Sequence, residues 1–114
     1  MRRILIIGID RIISMDIEQT LKKIGYDAEV VVGEEKGLEK IKQNTYDLII
    51  VNNLPYDDGE SFYKEVLAFD ENTANRILFI SGSITGFIKS PGNPYLPKPF
   101  TDEQLIELVK KSIK

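Results

Sequence analysis

Short apolar runs alternate with amphipathic stretches along this chain. Residues 4–7, 30–32, 48–51 and 77–80 carry only apolar side chains and are rich in β-branched residues. Continuous runs of this kind are typical of strands that are buried on both faces, which is the usual situation in a parallel sheet. The pair Tyr95-Leu96 predicts one further, shorter strand.

The stretches between the strands repeat with the period of about 3.6 residues that marks an amphipathic helix. The apolar positions of the first helix form one stripe: Ile13, Ile17, Leu21 and Ile24. Gly25 is expected to end that helix. Two shorter helices are predicted over residues 34–44 and 60–69. Thr101 and Gln104 match a capping box, which predicts the start of a last helix.

Strands and helices therefore alternate until residues 82–94, where three glycines and two prolines predict an irregular segment. A final strand and helix follow. This order predicts an α/β fold, a doubly wound parallel sheet with helices on both faces. Ligands in such folds bind beyond the carboxyl ends of the strands. That rim would be built from residues 8–10, 52–56 and 81–83 together with Lys98.

Composition narrows the range of functions. The 114 residues, 42% hydrophobic and 29% charged, predict one globular domain over residues 1–114. Cysteine and histidine are both missing, which excludes disulfides, thiolate or imidazole metal sites and Ser-His-Asp triads. A net charge of −3 does not indicate nucleic-acid binding. No apolar run approaches the ~20 residues of a membrane span, and no signal peptide is evident, so a cytoplasmic protein is expected.

Several of these segments together resemble the receiver domain of two-component response regulators, and the resemblance covers the whole chain. The most specific segment is Tyr95-Leu96-Pro97-Lys98-Pro99-Phe100. Residues 3–7, 46–51 and Asp58-Gly59 match further receiver segments, as does Ser81 after the fourth strand. The resemblance implies a flavodoxin-like sheet of five parallel strands in the order 2-1-3-4-5.

The family's chemistry depends on acidic residues that this sequence lacks. In receivers, an aspartate after the third strand accepts a phosphoryl group, and two acidic residues after the first strand help it to hold Mg²⁺. The matching positions here are Asn52 for the phosphoacceptor and Gly8 and Ile9 for the acidic pair. An amide is not an anionic nucleophile, and neither glycine nor isoleucine offers an oxygen ligand to a hard cation.

Other receiver positions are retained. By the resemblance, Ser81 matches the hydroxyl and Lys98 the ammonium that contact the phosphoryl oxygens, while Tyr95 matches an aromatic conformational reporter. The resemblance also implies a cis bond between Lys98 and Pro99. The usual fourth helix is expected to be shortened or absent within residues 82–94. We therefore expect a degenerate receiver, a pseudo-receiver, with no catalytic residue, metal or cofactor.

Three side chains leave alternatives open. Asp10 either caps the first helix or remains as a residual acid at the rim. Asn52 either mimics one phosphorylation state or is a polar strand end that bonds nearby backbone. Lys98 either pairs with Asp10, the Asn52 oxygen or water, or forms an anion pocket with Ser81 and the amides of Gly82-Ser83.

The predicted function is a phosphorylation-independent signalling module that acts through protein–protein contacts and is not an enzyme. Its partner would be a signalling protein or a fused output domain, with a homodimer as another option and neither nucleic acid nor membrane involved. The alternatives are a conventional phospho-accepting regulator that uses an unusual route, and a module that binds a small anion or nucleotide at Lys98. The partner surface is expected at residues 82–94, Tyr95 and the last helix. Phe87 and Ile88 would be either exposed in that surface or folded back as plugs.

Overall fold

The structure is a computed structural model that describes residues 2–52, 54, 59–82 and 91–113, with the backbone alone at Ile13. Five strands lie in the described residues: β1 (Arg3–Gly8), β2 (Asp27–Val32), β3 (Leu48–Asn52), β4 (Ile77–Ser81) and β5 (Tyr95–Pro97). The helices are α1 (Arg11–Lys23), α2 (Glu34–Gln43), α3 (Glu60–Phe69), the single turn α4 (Glu71–Ala74) and α5 (Asp102–Ser112).

The five strands form one parallel sheet in the order β2-β1-β3-β4-β5. This is the flavodoxin-like order that the resemblance implies, so the fold prediction is confirmed. Apolar side chains on β1, β3 and β4 are buried on both faces of the sheet. Their continuous apolar runs are explained by this position at the centre of a two-sided sheet.

Two hydrophobic clusters cover the two faces of the sheet. One packs Ile4, Ile6 and their neighbours against Leu21 of α1 and Leu105 and Val109 of α5. The other packs alternate residues of the same strands against α2 and α3. Helices thus lie on both faces, as the alternation of elements predicted.

The helix ends are set by local hydrogen bonds. The Asp10 carboxylate accepts from the Ile12 amide over 2.7 Å and caps α1. Gly25 follows the end of α1 with φ of 99°, in the left-handed region that favours glycine. The predicted capping box of α5 is present, because Thr101 and Gln104 exchange hydrogen bonds of 3.1 and 2.9 Å.

Four details differ from the sequence prediction or were not foreseen. Val32 is exposed because β2, among the described strands, pairs with β1 alone. Ile24 is exposed because it lies beyond the last turn of α1, outside the apolar stripe. The single turn α4 and the buried Asn93 had no predicted role.

The prediction for the fourth helix concerns residues 82–94, of which residues 83–90 lie outside the described residues. The described residues that follow them, 91–94, form a turn and extended chain that leads into β5. The Lys98–Pro99 bond is cis, as the resemblance implied. In the described part of the chain, no helix has the length and apolar character that crossing a bilayer would require.

Candidate functional site

The predicted site residues meet at the carboxyl edge of the sheet. Gly8 of β1 and Asn52 of β3 are direct partners in the strand register. Ser81 ends the next strand, and its carbonyl accepts a hydrogen bond of 2.8 Å from the Lys98 amide. The parallel sheet therefore brings together positions as far apart in the sequence as residues 8 and 98, which are separated by 90 positions.

Asn52 is buried, with only 2% of its surface exposed. Its side-chain amide nitrogen donates to the hydroxyl of Ser14 over 3.1 Å. Its side-chain oxygen is also buried, and no donor to it exists among the described residues. Bonding to nearby backbone was one of the two alternatives for Asn52, and the partner observed among the described residues is instead a side chain on α1, 38 positions away.

Gly8 lies against the same serine. A Cβ atom built on Gly8 would lie 2.5 Å from Ser14 Oγ, closer than real Cβ contacts come. Ser14 itself has no exposed surface. The hydroxyl of Ser14 therefore fills the space next to both the Gly8 and the Asn52 positions.

The two residues after Gly8 are an isoleucine and a helix cap. Ile9 is an exposed apolar side chain. Asp10 is engaged as the N-cap of α1, where its negative charge is favoured by the helix dipole. The structure thus places Asp10 as a helix cap, the first of the two alternatives.

The Mg²⁺ site that the family implies does not fit these residues. Mg²⁺ takes hard oxygen ligands and usually one or two carboxylates. The three matching positions offer a hydrogen atom, an isoleucine side chain and a buried amide that bonds Ser14. Among the described residues, no three acidic side chains are grouped so that they could hold a metal ion.

Lys98 lies in a cleft of about 240 Å³ between α1 and α5. The residues that line it are Asp16, Ile17, Thr20, Asn52, Lys98, Phe100, Asp102 and Leu105. Burial lowers the pKa of the Lys98 ammonium. No carboxylate in the described residues forms an ion pair with Lys98, and Asp10, one of its expected partners, caps α1 instead.

Two of the other retained positions differ in exposure. Ser81 is buried at the end of β4. Tyr95 is exposed and lines a shallow cleft of about 210 Å³ with Gln104, Leu108 and Lys111 of α5. The aromatic position of the receiver pattern therefore lies on an accessible surface beside the last helix.

Sequence reasoning missed Ser14. A serine inside a helical stretch carries no signal of its own. The available signal was Gly8, because a glycine inside a strand of β-branched residues often marks a close approach of another group. The predicted contributions of Ser83, Phe87, Ile88 and residues 53 and 55–58 lie outside the described residues.

Comparison with known proteins gives relatives that are signal-transduction proteins by name. No protein-family model matches the chain. The response regulator ArlR of Staphylococcus saprophyticus is 28% identical over an alignment of 120 residues, and that alignment covers all of this chain and 53% of that protein. The chain thus spans about half the length of that relative.

Solved structures give the same result. A response regulator receiver protein of Sinorhizobium medicae superimposes with a TM-score of 0.81 at 26% identity, covering 97% of this chain and 93% of the other. The chemotaxis protein CheY4 of Vibrio cholerae superimposes with a TM-score of 0.85 at 24% identity, covering 99% of each chain. Sequence relatives and structural neighbours therefore support a response regulator receiver domain, a signalling module of two-component systems.

Proposed function

We propose that this receiver-like domain signals through protein contacts and without phosphorylation of its own residues. It keeps the receiver fold and the hydroxyl, aromatic and lysine positions at Ser81, Tyr95 and Lys98. It lacks the acidic groups that phosphoryl transfer to a receiver requires. The carboxyl edge of the sheet then keeps one conformation, and a protein partner recognises the domain in that conformation.

The observation that carries this proposal is the arrangement of Asn52. The residue at the phosphoacceptor position is an amide, is buried, and is hydrogen-bonded to Ser14. A phosphodonor would need both an exposed carboxylate at this point and cations that neutralise the transferring group. Lys98 is the single cation that the described part of this cleft provides.

The proposed partner surface is formed by Tyr95 and the exposed face of α5 that borders it. Tyr95 offers an aromatic ring beside the apolar Leu108, and charged residues of α5 surround the pair. Interfaces are enriched in such aromatic anchors with polar rims. The partner is a signalling protein or a fused output domain, and the substitution Tyr95→Ala would weaken its binding without changing the fold.

Intact-mass spectrometry after incubation with acetyl phosphate and Mg²⁺ tests the proposal. We expect no mass increase of one phosphoryl group on the protein. The Asn52→Asp variant serves as the matched control, and it should also stay unmodified because positions 8 and 9 still lack carboxylates. A stoichiometric phosphoryl adduct on the wild-type chain would refute the proposal and favour a phospho-accepting regulator that uses an unusual route.

Lys98 supports a second candidate function, the binding of a small anion. Its ammonium is desolvated, lines a cleft, and forms no ion pair within the described residues. The carboxylates of Asp16 and Asp102 line the same cleft and oppose an anion, so this candidate ranks second. A thermal-shift titration with inorganic phosphate tests it: saturable stabilisation that Lys98→Met abolishes would support an anion site, and its absence would exclude one.

A further inference from the structure

We propose that Ser14 is the residue that excludes an acidic side chain from position 8, and with it a divalent cation from the rim. The inference rests on the proposed function, because it explains how the site at Gly8 and Asn52 is held in its non-acidic form. It assigns a specificity-determining role to a helix residue that is not one of the matched receiver positions.

Ser14 excludes a side chain at position 8 by steric overlap. The hydroxyl oxygen of Ser14 lies 2.5 Å from the point where a Cβ on Gly8 would be. The next atoms around that point are the carbonyl oxygens of Asn52 and Asp10, both at 3.7 Å, which is ordinary van der Waals contact. Ser14 Oγ is therefore the one atom in the described surroundings that forbids a side chain on residue 8.

The backbone conformation of Gly8 does not itself require a glycine. Gly8 is an ordinary strand residue, and it is not among the glycines with a positive φ. Any L-amino acid can adopt such a conformation. The glycine is therefore required by its neighbour Ser14 and not by its own backbone, so a change at Ser14 can remove the requirement.

The Ser14 side chain is not free to turn away from Gly8. Its hydroxyl accepts the hydrogen bond from the buried Asn52 amide, and the serine has no exposed surface. Rotating the hydroxyl to make room at position 8 would leave a buried N–H group without an acceptor, which is costly. Gly8, Ser14 and Asn52 therefore behave as one unit.

A double-mutant cycle of thermal melts tests this unit directly. We expect Gly8→Ala to lower Tm by several degrees, because the new methyl group overlaps Ser14 Oγ. The combination of Gly8→Ala with Ser14→Ala should lose less Tm than the sum of the two single losses, since Gly8→Ala already disturbs the contact between Ser14 and Asn52 and Ser14→Ala removes the overlapping atom. Ser112→Ala is the matched control, since it deletes a hydroxyl on α5 that bonds the Leu108 carbonyl. It should not rescue Gly8→Ala.

Additive losses in the combination of Gly8→Ala with Ser14→Ala would overturn the proposal. The cycle uses neither metal nor phosphodonor. Phosphorylation of the wild-type chain would therefore refute the proposed function while leaving this result intact, and the two failures are distinguishable.

A second measurement tests the consequence for metal binding. Calorimetric Mg²⁺ titration would compare the triple variant Gly8→Asp, Ile9→Asp, Asn52→Asp with the same variant that also carries Ser14→Ala. We expect a single stoichiometric Mg²⁺ site only in the variant that includes Ser14→Ala. If both variants bind Mg²⁺, the variant with Ser14→Ala should bind it at least tenfold more tightly. Equal Mg²⁺ affinity in the two variants would contradict the proposal. If the triple variant fails to fold, recovery of folding on addition of Ser14→Ala would support the proposal, and no recovery would contradict it.

Discussion

Replacing Asn93 with alanine should destabilise the domain strongly, although Asn93 lies outside the candidate site. Its buried side-chain amide donates to the carbonyls of Ala74 and Ile77 over 2.9 and 2.8 Å. These bonds fix the chain just before β5 to the end of α4 and the start of β4. Because Lys98 follows β5 directly, Asn93 also helps to set the position of the rim lysine.

The expected loss of stability in Asn93→Ala follows from the two hydrogen bonds that the substitution removes. Each buried acceptor left without a donor costs about 1–3 kcal/mol. A carbonyl keeps a second lone pair, and water can partly enter the space, so we expect Asn93→Ala to lower the free energy of unfolding by about 2–4 kcal/mol. Urea unfolding followed by far-ultraviolet circular dichroism measures this loss.

Asn44→Ala is the matched control for this experiment. The Asn44 amide donates one bond of 3.2 Å to the Lys40 carbonyl at the partly exposed end of α2. We expect that variant to lose about 1 kcal/mol or less. If Asn93→Ala were no more destabilised than Asn44→Ala, the reasoning that β5 is fixed by Asn93 would be refuted.

Two further predictions concern titratable groups. Burial lowers the pKa of Lys98, so its charged form destabilises the folded state at neutral pH, and this destabilisation fades as pH rises toward 10.5. Lys98→Met should therefore raise Tm at pH 7. A lower Tm for this variant would contradict the prediction. Burial and then the hydrogen bond to Glu29 raise the pKa of Tyr46 from 10.0 to about 12. The stability that the Tyr46 hydroxyl contributes is complete below pH 10.0 and is lost as pH rises through about 12. The urea midpoint of the wild-type protein should fall over this range, and the midpoint of Tyr46→Phe should lack that part of the decline.

The apolar pattern predicted the sheet well because most strands lie in its middle. Runs on β1, β3 and β4 are continuous since both faces are covered by helices. The pattern failed at Val32, where the strand is at an edge, and at Ile24, where the helix has already ended. In both cases the burial of the side chain depends on how many residues surround it in the folded structure, and the spacing of apolar residues in the sequence does not show that. The turn α4 is too short to show any period.

The candidate site was predictable where it depends on strand ends and unpredictable where it depends on a helix. Gly8, Asn52, Ser81 and Lys98 were expected at one edge because parallel strands end there together. The contact with Ser14 depends on how closely α1 approaches the sheet, which no local pattern encodes. The side-chain partner of Asn52 was therefore not foreseen in the sequence analysis.

The central claim is that the rim stays in one state whether or not metal and a phosphoryl mimic are present. The most direct test records backbone amide NMR spectra of the ¹⁵N-labelled domain during addition of Mg²⁺ and beryllofluoride, which mimics a phosphoryl group. We predict no saturable shift of the amides of Asn52, Ser81 and Lys98 at millimolar concentrations. Saturable shifts at these three amides, spreading to Tyr95, would contradict the account, because they would show a site that still binds and responds to phosphate.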